Sequence, residues 1–335
     1  MALVLNPITL PASKMLSTMT TLIGDVRFND TLSPSDIVND LVDSCRVGNV
    51  DFGKGIVYNF KVRLLDVEDL SETSTAFRIR KPNIRQETIL IDSYKFEELS
   101  YSEYLTKDAF LNGSSVSEFL SFVMSLLEDT SIFHFYDICL GLYLNWTPGQ
   151  VSQTISVDQI NTTGLSGNAL NEALKWNGAN IAKVMRKTMN NMKLVSNKYT
   201  DVATITDINT GSTVDVQTCL KPENMKLVFN DEYYTNFLAD ALASLYHDER
   251  VGEMLPGDRL VILPTDAMDS DNTTTIAWLS DKSKFALADF YKFVLSLRDP
   301  STTYENTFYH YAYGAGVFKY APGVKFVANI ITPGE

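Results

Sequence analysis

Cysteine is scarce in this 335-residue chain, which contains only three. Cys45, Cys139 and Cys219 lie far apart, form no CxxC pair and are odd in number, so we expect reduced thiols and no disulfide framework. Histidine is equally rare, and the three histidines lack the spacing of metal ligands. These shortages exclude a disulfide-stabilised scaffold and argue against a zinc site.

The signature motifs of common enzymes are missing as well. The chain has no GxxxxGK[ST] phosphate loop and no GxSxG nucleophile turn, and the glycines at Gly314 and Gly316 follow a strand pattern instead of opening a helix. Asp266, Asp269 and Asp271 crowd one loop, but this loop lacks the glycine and the closing glutamate of an EF-hand. We therefore expect an exposed acidic loop, no metal, no cofactor and no enzymatic activity.

Long hydrophobic runs are also absent. The most apolar run, residues 133–144, is interrupted by Asp137 and is too short to span a bilayer. Lys14 near the start is not part of a basic region followed by an apolar stretch, so we expect no signal peptide. The pattern predicts a soluble, intracellular chain with no membrane partner.

Positive charge is in deficit, because 28 basic residues stand against 41 acidic ones and the net charge is −13. A general duplex-DNA binder should be basic in order to neutralise phosphates, so this class is disfavoured. Hydrophobic residues make up 45% of the chain, enough for a substantial core. The balance suits a globular protein that stays soluble at high concentration.

A charged hairpin is predicted in the first third of the chain. Residues 55–65 alternate between apolar and polar side chains and should pair with a strand over residues 84–96. The segment between them has an acidic limb and a basic limb, which either pair with each other in solvent or meet a neighbouring subunit. The candidate intersubunit residues are Asp66, Glu68, Asp69, Glu72, Arg78, Arg80, Lys81 and Arg85.

Two long helices are predicted next. The first covers residues 114–145, with a break near 129–131 left open, and its length would be roughly 48 Å at 1.5 Å per residue. We expect its core positions to include Phe119, Val123, Leu126 and Cys139. The second helix covers residues 166–191 and has a basic stripe, which is either a solvated face or a lumen-facing or intersubunit surface. The stripe consists of Lys183, Arg186, Lys187 and Lys193.

The remaining pattern is rich in strands. Residues 150–163 are polar and are expected to be irregular, and residues 231–246 are expected to form a helix. Strands are predicted around a turn at 209–211 and over 221–229, 260–264, 275–279, 285–297, 308–313 and 324–331. The chain is therefore predicted to have an α+β fold.

The order of these parts resembles the major capsid proteins of tailed phages, which have the Hong Kong 97-type fold. The resemblance rests on the passage from strand to long helix over residues 84–127 and on the segments 220–229, 276–287, 308–316 and 322–329; the segment 101–110 resembles small podophage members. It implies an N-terminal arm (1–50), an extended β-hairpin loop or E-loop (51–98), a peripheral domain with a spine helix (99–199, helix 114–145), an axial domain with a mixed sheet (200–310) and C-terminal strands returning to the peripheral domain (311–335).

The resemblance also implies a function. It predicts a structural major capsid protein that self-assembles into pentamers and hexamers of an icosahedral phage head around double-stranded DNA. Implied partners are the chain itself, portal, scaffolding or decoration proteins, and packaged DNA without sequence specificity. With no scaffolding segment evident ahead of the arm, assembly would use a separate scaffold or none. The location would be the virion, after assembly in the host cytoplasm. An encapsulin-like nanocompartment shell and a monomeric β-rich binding or hydrolytic protein stay open as alternatives.

Overall fold

The helices and strands of the chain form a layered α+β structure. The computed structural model describes residues 32–47, 55–65, 81–102, 113–235, 260–268, 272–298, 301 and 304–331. The helices are α1 (Asp36–Cys45), α2 (Gly113–Leu144) and α3 (Gly167–Met192). The strands are β1 (Gly55–Lys61), β2 (Ile84–Leu90), β3 (Ser93–Ser102), β4 (Thr154–Ile160), β5 (Thr204–Thr206), β6 (Thr213–Asp215), β7 (Met225–Asn230), β8 (Leu260–Leu263), β9 (Thr275–Asp281), β10 (Phe285–Arg298), β11 (Tyr304–Val317) and β12 (Gly323–Ile331).

Helix α2 is the long helix predicted over 114–145, and it runs through residues 129–131 without a break. The polar side chains there are accommodated because Thr130 donates to the Leu126 carbonyl and Ser131 donates to the Glu128 carbonyl. Hydroxyls that bond back to the preceding turn leave a helix continuous. At the end of the helix, Asn145 donates to the Gly141 carbonyl.

The core face of α2 was predicted in part. Cys139 is fully buried as expected, together with Phe135 and Tyr143. The prediction that Leu126 lies in the core is wrong. Leu126 is 42% exposed, and the neighbouring Leu127 is buried instead. The helix is apolar nearly all round, so its sequence sets the core phase only loosely. The side chains of Phe119 and Val123, the other two expected core positions, lie outside the described part of the chain.

A five-stranded mixed sheet lies at the centre, in the order β4-β12-β9-β7-β8. Strand β7 is buried along its whole length. One of its faces packs against α1 and α2 through Val228, and the other packs against α3 through Leu227 and Phe229. The sheet combines strands from the three predicted segments 99–199, 200–310 and 311–335. Those domain boundaries stay a prediction.

Strand β4 corrects the expectation of an irregular segment over residues 150–163. Its residues pair in parallel with β12, from Thr154 opposite Lys325 to Ile160 opposite Ile331. The strand was missed because the buried Gln159 occupies a core-side position where alternation calls for an apolar residue. The polar groups at this edge are satisfied by α3, since Asn177 accepts from the Ile160 amide at 2.7 Å and donates to the Ile160 carbonyl at 3.0 Å.

The strand predicted over residues 84–96 is two strands in different sheets. Strand β2 pairs with β1, whereas β3 joins a three-stranded sheet in the order β10-β11-β3. The separation occurs at Ile91, whose side chain is buried with Ala288 and Ala312. Gly314 permits the crossing, because a Cβ atom there would overlap the Leu90 backbone.

The other predicted strands and the turn at 209–211 agree with the structure. Strands β5 and β6 are antiparallel around this turn, where Gly211 has a φ of +69°. Strands β7, β8, β9, β10 and β12 coincide with predicted segments, and β11 is longer than expected at both ends. Residues 231–235 are helical as predicted, and the rest of the predicted helix to residue 246 lies outside the described residues.

Candidate assembly surfaces

The hairpin of β1 and β2 has one face against the body of the subunit and one face open. Its inner face carries Tyr58 and Phe60, whose rings lie 4.7 and 5.8 Å from the ring of Phe318. Glu87, also on the inner face, accepts from the backbone amides of Lys319 and Tyr320 at 3.2 and 3.3 Å. The described part of the hairpin is therefore held by its own subunit.

The outer face of the same hairpin presents apolar side chains to solvent. Val57 is 48% exposed, Ile84 is 48% exposed and Leu90 is 58% exposed. Beyond the end of β1, Leu64 and Leu65 are also exposed apolar residues, with exposed fractions of 64% and 59%. The alternation predicted over residues 55–65 would place Leu64 on the inner face with Tyr58, but the alternation ends at the buried Val62, just after β1. Exposed apolar side chains grouped in this way are typical of interaction surfaces.

A polar clamp fixes the connecting end of the hairpin, just before β2 begins, to the turn between β5 and β6. Asn83, just before β2, donates to the Asp207 carboxylate at 2.9 Å and accepts from the Ile208 amide at 3.1 Å. Asn209 accepts from the Lys81 amide at 2.8 Å and donates to the Lys81 carbonyl at 2.9 Å. Hydrogen bonds from the Asn209 amide, Asn83 and Thr210 hold the pKa of Asp207 at about 2, below its usual value.

Breaking this clamp at Asn83 should loosen the hairpin. Asn83→Ala leaves the Ile208 amide without its acceptor and removes one of the donors to the Asp207 carboxylate, which costs about 1–3 kcal/mol. We expect faster hydrogen exchange at the amides of residues 55–62 and 84–90, measured by mass spectrometry. Asn59→Ala, an exposed change on the same hairpin, is the matched control. Equal protection in both variants would show that the clamp does not restrain the hairpin.

Only two of the eight predicted intersubunit charges lie in the described part of the chain. Lys81 is exposed in the segment just before β2. Arg85 is directed to the inner face, where its guanidinium donates to the Thr206 carbonyl at 2.9 Å. The structure therefore engages Arg85 within its own subunit, and its contact with a neighbour stays a prediction. Six residues lie outside the described ranges: Asp66, Glu68, Asp69, Glu72, Arg78 and Arg80.

The basic stripe predicted on the second helix lies along α3 and its C-terminal cap, and its lumen-facing or intersubunit role stays a prediction. All four of its residues are exposed, and Lys193 donates to Asn190 at 3.1 Å. Residues 167–198 hold six basic residues against one acidic residue, in a chain that carries −13 overall. Trp176 is 41% exposed on the same helix. The members of the stripe are Lys183, Arg186, Lys187 and Lys193.

An aromatic surface on the three-stranded sheet was not predicted. Strand register places Phe293, His310 and Phe96 side by side on the face turned away from α2. His310 is at the centre, 4.5 Å from the Phe293 ring and 5.8 Å from the Phe96 ring, and its Nδ1 atom is 2.6 Å from the Tyr94 hydroxyl. Phe96 is 57% exposed and Tyr94 is 50% exposed.

The signal for this surface was present in the sequence. Tyr94 and Phe96 are two residues apart, as are Phe308 and His310, so each pair shares one face of a strand. The opposite face is also aromatic, because Tyr309 and Tyr311 pack against α2. Aromatic residues on both faces conceal the alternation that would separate a core side from an open side.

A buried ion pair joins three loops, which contain Asp201, Lys284 and Ala321. The Lys284 ammonium is fully buried and lies 3.1 Å from the Asp201 carboxylate. It also donates to the Ala321 carbonyl at 2.9 Å and lies 4.8 Å from the centre of the Trp146 ring. Burial lowers the pKa of Lys284, and the attraction of Asp201 opposes that change. Asp201 also accepts from Gln153 at 2.8 Å, so the network is extensively hydrogen-bonded.

Neither a metal cluster nor a membrane-spanning helix is found in the described part of the chain. Among the described residues, no group of three or more histidine, cysteine or acidic side chains could hold a metal ion. Of the acidic loop considered from the sequence, Asp266 lies in the described part, whereas Asp269 and Asp271 do not. No helix in the described ranges has the length and apolar character needed to cross a membrane.

Comparison with protein-family models decides what these surfaces belong to. The model named "Phi29-like phage major capsid protein" matches residues 57–327, most of the chain. The chain belongs to the Phi29-like phage major capsid protein family. It is therefore a structural subunit of a phage virion that associates with copies of itself. A search of curated proteins finds no match.

Solved structures confirm the predicted capsid fold. The chain is similar to one in the capsid structure of Staphylococcus phage Andhra, with a TM-score of 0.64 and 9% identity over 92% of this chain and 90% of that chain. It is also similar to one in the capsid structure of Cyanophage P-SCSP1u, with a TM-score of 0.55 and 13% identity over 93% of each chain. A third similar chain comes from the mature capsid of bacteriophage PhiM1, with a TM-score of 0.51 and 10% identity over 92% of this chain and 91% of that chain.

Family and fold together favour one of the three functions considered from the sequence. The α+β Hong Kong 97-like capsid fold is shared across nearly the whole length of these solved chains. The family match points to a phage head protein, so neither the encapsulin-like shell nor the monomeric β-rich protein is favoured.

Proposed function

We propose that this major capsid protein assembles into pentamers and hexamers that close into an icosahedral head around double-stranded DNA. The observation that carries the proposal is the family match over residues 57–327, on a chain with a capsid fold. A subunit with several exposed interaction surfaces suits closed symmetry, because repeated contacts cover the same surfaces on every copy. The role proposed is structural, without enzymatic turnover.

The hairpin and the aromatic surface are the contacts proposed for neighbouring copies. The outer hairpin face and the aromatic surface are both apolar and open in the single subunit. Burying apolar area contributes roughly 25 cal/mol per Å², so covering both surfaces favours association. The charged hairpin limbs add complementarity, which selects partner and register more than it adds affinity. These limbs comprise Asp66, Glu68, Asp69, Glu72, Arg78, Arg80, Lys81 and Arg85.

The finer assignments are part of the same proposal. The arm, E-loop, peripheral domain, axial domain and C-terminal strands keep the boundaries inferred from the sequence. Assembly takes place in the host cytoplasm, with portal, scaffolding or decoration proteins as further partners. A relation to small podophage members rests on the segment 101–110, of which the structure describes residues 101 and 102.

Sedimentation and virion composition test the assembly proposal. Purified chain, with varied salt and with or without a scaffold, should give particles far larger than a monomer. The same chain should be the most abundant protein of the purified virion by mass spectrometry. A virion that lacks the chain would refute the proposal.

Packaged DNA is proposed to contact the basic stripe of α3 without sequence specificity. At near-physiological salt, isolated subunits should show no tight, sequence-dependent complex in a gel-shift titration. The weak binding that remains should weaken steeply as salt rises, because counterions are released from phosphates. Reversing Lys183, Arg186 and Lys187 to glutamate should lower the slope of log affinity against log salt by about 2–3.

The matched control for the stripe is the triple reversal of Lys221, Lys282 and Lys319, which are exposed and lie outside α3. It makes the same change in net charge and should leave more of the salt dependence in place. Submicromolar binding to one duplex and not to others would indicate a DNA-recognition protein instead.

A further inference from the structure

A pair of buried cysteines and a buried lysine meet where α1, α2 and β7 pack together. Cys45 is the last residue of α1, Cys139 lies in α2 and Lys226 lies in β7. Their exposed fractions are 1%, 0% and 1%. The Lys226 Nζ atom donates to the Cys45 sulfur at 3.4 Å, and the Ser44 hydroxyl lies 3.9 Å from the same sulfur.

The two thiols differ in their electrostatic surroundings. The hydrogen bond from Cys139 and the charge of Lys226 lower the pKa of Cys45 to about 6, although burial acts in the opposite direction. Its hydrogen bond to Cys45 and its burial raise the pKa of Cys139. One sulfur is therefore set up as the thiolate and the other as the thiol. A thiolate next to a cation is the reactive form of cysteine.

A cavity gives small molecules a route to this cluster. It has a volume of about 590 Å³, and its lining includes Ser44 and Lys226 together with Tyr58 of the hairpin. Arg46 and Lys282 add positive charge to the lining, and Asp40 and Asp43 add negative charge. Neither cysteine lines the cavity, so a hydrogen peroxide molecule in this space reaches the Cys45 sulfur when the packing of Ser44 and Lys226 around it opens locally.

We propose that Cys45 and Cys139 form a redox site that closes into a disulfide between α1 and α2. The Cys45 thiolate attacks one peroxide oxygen, the O–O bond breaks and, after proton uptake, Cys45 sulfenic acid and water result. The Cys139 sulfur then attacks the sulfenic sulfur, the S–O bond breaks and water leaves with the Cys139 proton. In total, two thiols lose two hydrogens and one peroxide becomes two waters.

The disulfide would lock the first described helix onto the long helix. Thiols stay reduced in cytosol and oxidise outside it. In a virion, which is the setting given by the proposed function, the bond would stay open during assembly and close after release. A cross-link between residues 45 and 139 closes a long loop. It stabilises the folded subunit chiefly because it restricts the conformations of the unfolded chain.

Peptide mapping of the unaltered protein tests the site directly. Assembled particles are treated with hydrogen peroxide, digested without reductant and examined by mass spectrometry. We expect one linked peptide pair containing Cys45 and Cys139, two hydrogens lighter than the sum of its parts and separated by dithiothreitol. The melting temperature of the oxidised protein should rise by roughly 5 °C.

Variants separate this site from other thiol chemistry. Cys219→Ser, at the exposed cysteine, should leave the linked pair unchanged, whereas Cys45→Ser and Cys139→Ser should each abolish it. Lys226→Met should slow the oxidation about tenfold and move the midpoint of its pH profile upward. A link that involves Cys219, sulfinic acid at Cys45 without a link, or no reaction at Cys45 would overturn the proposal. Electron microscopy of the same samples shows whether shells are present, so these results do not depend on the assembly proposal.

Discussion

Asp201→Ala is expected to lower the free energy of unfolding of the unassembled subunit by about 3–5 kcal/mol, the cost of removing one partner of a buried ion pair. The Lys284 ammonium would remain fully buried, 3.1 Å from the place where the carboxylate was. Trp146 and Gln153 would lose an acceptor at the same time. Urea unfolding followed by far-ultraviolet circular dichroism measures the change.

The pair can be separated from ordinary surface charge with two further variants. Lys282→Ala, at an exposed position two residues from Lys284, should change the free energy of unfolding by no more than about 0.5 kcal/mol. The double change Asp201→Ala with Lys284→Met removes both charges and should recover part of the loss. If Asp201→Ala alone costs less than about 1 kcal/mol, the network does not hold the loops together.

Reversing Arg78, Arg80 and Lys81 to glutamate is expected to abolish shell formation while leaving the subunit folded. Each exposed ion pair contributes only about 0–1 kcal/mol, but the loss is repeated at every contact in the shell. The new charges would also face the acidic limb of the hairpin across the same interface. Sedimentation should show subunits in place of particles, with an unchanged circular dichroism spectrum.

A control with equal charge change makes this result specific to the hairpin. Lys221, Lys282 and Lys319 are exposed outside the hairpin, and reversing them adds the same negative charge. That variant should assemble. Normal shells from the hairpin variant would remove these three residues from the intersubunit contact, and failure of both variants would attribute the defect to net charge.

The sequence predicts the elements of this fold better than it predicts their arrangement. Helix α2 is recovered nearly to the residue because a long apolar, helix-forming run ends at Trp146 and Pro148. Strand β4 is missed because its inward-facing Gln159 is polar, and its side-chain amide donates to the carbonyls of Asp158 and of Asn177 in α3. The alternation of apolar and polar residues does not reveal the division between β2 and β3. The apolar Ile91 fits this alternation, although the chain passes from one sheet to another there.

The candidate surfaces were predicted unevenly for the same reason. The basic stripe repeats at helical spacing within one element, so the sequence places it on one face without reference to any other element. The aromatic surface takes residues from three strands, and only the register brings Phe96, Phe293 and His310 together. The cysteine site joins residues separated by most of the chain, and Cys45 and Cys139 were expected only to be reduced thiols.

Electron cryomicroscopy of purified particles containing this chain is the most direct test of its role as a major capsid protein. The account predicts closed icosahedral shells with fivefold and sixfold clusters, in which each subunit shows a helix of 32 residues packed beside a five-stranded sheet. Neighbouring copies should cover the outer hairpin face and the aromatic surface. Shells built from another protein, or a chain that stays monomeric in every condition that assembles the phage head, would contradict it.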